Sequence, residues 1–454
     1  MLVVTAIRRG RRTLKAFMLA FLAVLLLAVA PVRKTFAQNE SPSPQASSAI
    51  DEQIRQGKYV IAGSFFGMHI NRTSTYWPLA QVGGVRLRAS QVNWDQIEKT
   101  PGVYDFSLLD QWIAEAQQNK ATVMYNFVAV PQFYSSAPGD TTCDYAPGAC
   151  DPPTDLNADG TGADSAFKNF VTALVNHVGS QIQYWEIWNE PNQKSQWVPT
   201  NPALPYNQLI RMAKDAREII QAVDPNAVLL TPAPVGFPTG APLWLAGYLA
   251  AGGGAYADVI AFHGYLNQYW KWGAYPIAED EVRLVSRVKY WVAKYGQQGK
   301  PLWISEGGWG NVQLTGFTNP KLQTAFIARY VLLQQSLGIA QAYWYQWDSR
   351  NGAGTLWMGP RRDQLREPGF AYRQVADWTV GATLSSPCTP SPNGVWKCTY
   401  TRSGNYQAMA VWNAFGHSRF RVPPQYKQYR GLMGHVYPVK GSVIIGPWPI
   451  LLEN

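Results

Sequence analysis

At 454 residues, with 46% hydrophobic and 13% aromatic side chains, the chain is long enough for one large domain or two to three ordinary ones, and apolar enough to fill them. Its formal charge of +10 suggests a nucleic-acid or anionic-surface partner, but Arg8, Arg9, Arg11, Arg12, Lys15, Arg33 and Lys34 all fall in residues 1–37, which hold no acid. Without those seven there remain 32 basic and 29 acidic residues, a balance of +3 that excludes a nucleic-acid-binding body on charge.

The basic stretch, the apolar run Phe17–Ala30 and the small-residue segment Thr35-Phe36-Ala37 have the layout of an export signal over residues 1–37. The 14 residues of that run fall short of the roughly 20 that span a bilayer, although Arg33 and Lys34 behind it also suit an uncleaved anchor. Only in that case would a membrane be a partner; otherwise the protein is expected to be secreted or periplasmic. Arg11-Arg12 resembles a twin-arginine signal only weakly. Residues 38–54 read as a flexible Ser/Pro-rich linker. Cys143 and Cys150 bracket one Pro/Gly turn and Cys388 and Cys398 another, so two local disulfides are the economical pairing, in keeping with an oxidising compartment. A metal site would need cysteine pairs two to four residues apart, which the sequence lacks, and no metal is expected.

From residue 55 the apolar period switches repeatedly between strand and helix. Candidate strands are Tyr59–Phe66, Gly84–Arg88, Thr122–Phe127, Tyr184–Trp188, Val228–Thr231, Val259–Phe262, Leu302–Ser305 and Ala340–Tyr345. Amphipathic helices are expected over 107–119, with capping-box spacing of Ser107 and Asp110, over 206–223, stopped by Asp224-Pro225, and over 279–295 and 320–337, stopped by Gly296 and Gly338. Eight strands alternating with helices in about 320 residues, 55–380, give an α/β class (β/α)8 barrel. The rival, a doubly wound open sheet, lacks a GxGxxG or GxxxxGK after any strand. Residues 381–454 change to short strand-like pieces between Pro/Gly turns, 395–401, 406–412, 418–422 and 441–445, and read as a small β domain. Its Trp396, Trp412 and Trp448 either pack on the barrel or bind sugar.

Two strings carry the chemistry. YWEIWNEPN puts Asn189 and Glu190 behind an apolar run from Tyr184 to Trp188, and PLWISEGGWG puts Glu306 behind Pro301–Ser305. An unpaired buried carboxylate costs several kcal/mol, so two at the carboxyl ends of barrel strands, where active sites lie, point to one site. Asp155, Asn157, Asp159 and Gly160 match the start of a calcium loop, but the twelfth position is Ala166 where a bidentate Glu is required, and a polar loop into a helix capped by Asp164 or Ser165 is expected instead.

In these strand ends the chain resembles the retaining glycoside hydrolases of clan A, most closely family 39, over roughly residues 55–380. The resemblance implies that Glu190 of the Asn-Glu-Pro run is the acid/base and Glu306 the nucleophile, that Asn189 binds the sugar hydroxyl beside the reacting carbon, and that Arg86 of VRLR orients the nucleophile, with Arg88 on the same face as an alternate. It also implies that His263 and Tyr265 of AFHGY form a His-x-Tyr pair whose tyrosine contacts Glu306. Trp347, with Tyr345 as alternate, and Trp309 are candidate sugar platforms. Retention requires carboxyls about 5 to 5.5 Å apart with two different pKa values, and no cofactor. The expected activity is hydrolysis of β-glycosidic bonds in a polysaccharide or oligosaccharide by a monomer, with transglycosylation a variant. The rival from another class is a non-catalytic carbohydrate-binding or surface protein, which would have no need of both glutamates.

Overall fold

The computed structural model describes residues 48–88, 90–266, 273, 275–349, 353–358 and 364–454. The expected export signal, 1–37, and the first part of the linker lie outside the described residues.

Eight parallel strands form the barrel: β1 Phe66–Met68, β2 Gly84–Leu87, β3 Thr122–Phe127, β4 Tyr184–Ile187, β5 Val228–Leu230, β6 Ile260–His263, β7 Leu302–Gly307 and β8 Ile339–Trp344. Each pairs with its sequence neighbour, β1 pairs with β8, and a parallel bridge from Leu230 to Val259 sets β5 beside β6 and closes the ring. Strands buried on both faces read as unbroken apolar runs, which is why Val85, Tyr125, Trp185, Ile260 and Ile304 are all essentially inaccessible. The helices between them bury single stripes. Helix Asn207–Val223 sinks Leu209, Met212, Ala213, Ala216 and Ile220 and ends at Asp224, before Pro225; at about 1.5–3 kcal/mol for each large apolar side chain, this face holds the helix to the barrel. Helix Ser107–Gln118 lies where the apolar period places it, but its first turn is tied by Asp105, which accepts from the Ser107 N–H at 3.0 Å, instead of by a Ser107 capping box. Helix Ser165–Val178 is likewise capped by Asp155, whose Oδ2 accepts from Ser165 N at 2.6 Å, while Asp164 takes a left-handed φ of 48° and makes no side-chain cap. The Asp155–Gly160 string is thus spent on a polar loop leading into this helix.

The first expected strand divides. Tyr59–Val60 pairs antiparallel with Thr383–Leu384 as one edge of a seven-stranded sheet made mostly of the C-terminal segment, and only Phe66–Met68 enters the barrel. A single 3₁₀ turn, Gly63–Phe65, separates them. Residues 49–54, expected as the end of the linker, are instead part of a helix, Ala49–Arg55, capped by Ser48 Oγ and tied to Lys289 through Asp51. The C-terminal strands Val395–Arg402, Tyr406–Asn413, Ser418–Arg421 and Ser442–Ile445 lie where expected, joined by Thr383–Pro390, Gln428–Arg430, Val436–Pro438 and Ile450–Glu453. Trp396 and Trp412 stack at 5.9 Å and are buried, and Trp412 donates to Glu279 at 2.9 Å beside the Arg329–Glu279 pair. Trp448 donates to Lys321 O at 3.0 Å. These three tryptophans pack the sheet against the barrel helices.

Cys143–Cys150 and Cys388–Cys398 are bridged, and there is no free cysteine. Closing a loop of 10 residues removes unfolded-state entropy worth about 2–4 kcal/mol. The Cys388→Ala/Cys398→Ala variant is therefore expected to lose stability on that scale in chemical denaturation. An unchanged midpoint and slope would contradict it.

Candidate active site

At the carboxyl end of β4 the chain kinks sharply: Trp188 has φ 63° and Glu190 φ 42°, left-handed values that are uncommon for large side chains and cost of order 1 kcal/mol each. The kink is held from both sides. Trp188 N donates to Phe127 O of β3 at 3.0 Å, Trp188 Nε1 to Gln196 O at 2.7 Å, and Glu190 N to Ala233 O beyond β5 at 2.9 Å. It is this fold-back that presents Asn189 and Glu190 to the barrel mouth.

Below them lies Arg86 of β2, fully buried. Its Nη1 donates to Glu306 Oε2 at 2.9 Å, its Nη2 to Asn189 Oδ1 at 2.9 Å, and its Nε to Glu186 Oε2 at 2.6 Å. Glu306, at the end of β7, accepts on its other oxygen from Tyr265 Oη at 2.8 Å. His263, ending β6, meets Glu190 Oε1 through Nδ1 at 2.8 Å. One oxygen each of Glu190 and Glu306 and a nitrogen of His263 lie within 4.8 Å of one another. Three such donors are spaced closely enough for a metal ion, but both Glu306 oxygens are already taken, one by a guanidinium that would repel it.

The two carboxyls differ in acidity. Burial pushes Glu190 up to about 8, with Glu306 adding to the rise and Arg88 and Arg86 opposing it. Its side chain keeps 18% exposure, opening onto the cleft. Burial acts on Glu306 too, but His263, Arg88, Arg86 and the Tyr265 hydroxyl outweigh it and hold the carboxyl below its ordinary value. His263 is itself held neutral down to about pH 3, first by burial, so at neutral pH the arginines and the tyrosine carry that effect. Burial also raises Glu186, against the pull of Arg86.

The cleft above measures about 390 Å³ and is walled by Arg88, Asp144, Glu190, Tyr265, Glu306 and Tyr345, among others. Glu190, Glu306, Asn189, Arg86, His263 and Tyr265 thus come together as one constellation. The two tryptophans do not join it. Trp309 is fully buried with its ring edge-on to Trp344 at 5.0 Å, and Trp347 is fully buried and donates to Tyr76 O at 3.0 Å, so neither presents a face to the cleft. Tyr345, the alternate, does line it. Two participants were not singled out in the sequence. Glu186, inside the run taken as apolar, neutralises Arg86; Gln196 accepts from Asn189 Nδ2 at 3.0 Å and fixes its amide.

A closed parallel barrel with paired glutamates at the ends of β4 and β7 is the framework of a glycoside hydrolase of clan A. The family model for Cellulase (glycosyl hydrolase family 5) matches residues 67–350, more than half the chain, and the chain belongs to that family; its substrate is a carbohydrate. No curated protein matches it. Among solved structures it is similar to a family 39 glycoside hydrolase from the gut symbiont Bacteroides cellulosilyticus WH2, with TM-score 0.64 at 16% identity over 87% of this chain and 82% of that one. It is likewise similar to a GH39 β-xylosidase from Caulobacter crescentus, TM-score 0.61, 15% identity, 87% and 97% covered. A GH30 endoxylanase from Clostridium papyrosolvens C71 follows at TM-score 0.56, 13% identity, 87% and 97% covered. At these identities the likeness is one of fold.

Proposed function

We propose that the protein is an exported retaining β-glycosidase that cleaves a polysaccharide or oligosaccharide by double displacement, with Glu190 as acid/base and Glu306 as nucleophile. The observation that carries this reading is the pair of carboxyls with oxygens within 4.8 Å and opposite pKa shifts. Such closeness suits attack by one carboxylate on the anomeric carbon, as in retaining enzymes, whose carboxyls lie about 5–5.5 Å apart against roughly 6.5–9.5 Å in inverting ones. Two disulfides fit an oxidising compartment, and among the described residues no helix is long and apolar enough to cross a membrane.

Each neighbour then has a task. Arg86 and Tyr265 hold Glu306 ionised and aimed, since a guanidinium and a hydroxyl on its two oxygens stabilise the charged form. His263 orients Glu190. Its Nε2 is buried without a hydrogen-bond partner, and an orphaned lone pair is tolerated better than an orphaned N–H, so the ring proton is assigned to Nδ1 and donated to Glu190 Oε1. The acid proton of Glu190 then sits on Oε2, free for the leaving oxygen. Asn189, fixed between Arg86 and Gln196, is set to meet the sugar hydroxyl next to the reacting carbon. In the first step Glu306 displaces the leaving sugar as Glu190 protonates it. In the second, water deprotonated by Glu190 releases the sugar from Glu306.

The test is the anomer formed first, followed by proton NMR during early hydrolysis of a β-linked substrate. The β anomer should appear before mutarotation supplies the α form. First appearance of the α anomer would refute retention.

A further inference from the structure

Arg86 is matched by two carboxylates, Glu186 and Glu306, and Glu190 is matched by His263. Arg88 is not matched. It stands on the cleft wall, yet among the described residues no carboxylate oxygen lies within 4.0 Å of it. Its Nε is buried without a hydrogen-bond partner. Its Nη2 reaches Gln196 Oε1 only at 3.4 Å, and that oxygen already accepts from Tyr145 Oη at 2.8 Å and Asn189 Nδ2 at 3.0 Å. Asp144, the other acid of the wall, is committed to Ser195 Oγ and to Gln196 Nε2. The guanidinium is held in place by the Tyr145 ring, 5.3 Å from its centroid.

A partly buried guanidinium over the Tyr145 ring, with no carboxylate on it among the described residues, is suited to a planar oxyanion, which it can grip with two parallel hydrogen bonds. A neutral hydroxyl would leave the charge of this partly buried guanidinium unanswered. We propose that Arg88 is the cleft's receptor for a carboxylate carried by the bound sugar, and hence that the preferred substrate is a uronate-bearing glycan. This inference rests on the glycosidase reading above for the cleft it uses. The competing role for Arg88 is to act only as a second cation that helps keep Glu306 ionised, and that role would affect acidic and neutral substrates alike.

The experiment compares wild type, Arg88→Gln and Arg88→Lys on glucuronoxylan, xanthan and hyaluronan, each paired with its own carboxyl-reduced form. Reducing-end release gives kcat/KM, and retardation in gels containing the same polymers gives binding without turnover. Wild type should prefer at least one acidic polymer over its reduced form by roughly 10- to 100-fold, the range of one charged hydrogen-bonded contact. Arg88→Gln should lower kcat/KM on the acidic polymer at least about tenfold further than on its reduced form, mainly through KM, and so erase that preference, and Arg88→Lys should restore part of it. The proposal is overturned if wild type favours no acidic polymer in either assay, or if Arg88→Gln falls by one factor on both members of a pair. Carboxylate-dependent retardation that needs Arg88 but comes without cleavage would uphold the receptor and refute the glycosidase reading.

Discussion

Glu306→Ala is expected to abolish cleavage of glycans and of activated aryl β-glycosides together, by roughly 10⁴-fold or more, because it removes the atom that forms the bond to the anomeric carbon. Glu190→Ala should divide the two substrates. A natural leaving sugar needs the proton that Glu190 supplies, so cleavage of the glycan falls by about 10²- to 10⁴-fold. A good aryl leaving group departs without it, so formation of the glycosyl-enzyme survives and its release becomes slow. With the Glu190 carboxyl gone, azide can approach the anomeric carbon from the face that water would have used, and the adduct should be the β-glycosyl azide. In the Glu306 variant azide can act only by direct displacement and should give the α product. The measurement is the configuration of each adduct by NMR; the opposite assignment would reverse the two roles.

Much of the barrel was legible because a strand buried on both faces has to be apolar along its length, and seven of the eight runs have no competing use. The first run divides for a physical reason. Tyr59, Ile61, Phe65 and Phe66 are all buried, but the early part of the run packs into the C-terminal sheet and the later part into the barrel, and periodicity alone does not say which neighbour buries a side chain. The same limit explains Trp309 and Trp347. Position at a strand end was visible, but whether a ring turns to the cleft or to Trp344 and Tyr76 is set by packing between segments far apart in sequence.

Glu190, Glu306, Arg86, His263 and Tyr265 could be found because charged or polar groups at strand ends stand out against apolar runs. Glu186 carries a signal of the same kind, hidden within the apolar run. With alternation of period two, a glutamate in the middle of β4 and an arginine in β2 both face the barrel interior, and a buried guanidinium requires carboxylates. Gln196 had no such signal, since it lies in an irregular loop and gains its place only when Trp188 Nε1 and Asn189 fold onto it.

The second large effect is expected at Arg86. Replacing it with Met leaves Glu186 and Glu306 facing each other in the barrel without their shared cation, and breaking a buried pair in this way costs about 3–5 kcal/mol of stability. Glu186→Gln in the same background should recover part of that loss, since it removes one of the two stranded carboxylates, but it should not recover activity, because Glu306 still lacks its donor. The pH profile separates aim from mere packing. In wild type, kcat/KM requires Glu306 ionised and Glu190 protonated, so the acid limb lies below the ordinary glutamate value of 4.5 and the basic limb near 8. Without Arg86 the acid limb should move to higher pH while the maximum falls. Stability follows the same shifts. Glu306, with its folded pKa depressed, contributes stability that is present above its unfolded value and is lost as pH falls through the folded value. Glu190, raised to about 8, binds more protons folded than unfolded between 4.5 and 8, so its contribution declines as pH rises through that window, and Glu190→Gln should flatten that decline. Kinetics and denaturation of wild type and the three variants from about pH 2.5 to pH 9 measure all of this at once. An Arg86→Met protein with an unmoved acid limb would show that the arginine serves only to fill the barrel, and that something else keeps Glu306 charged.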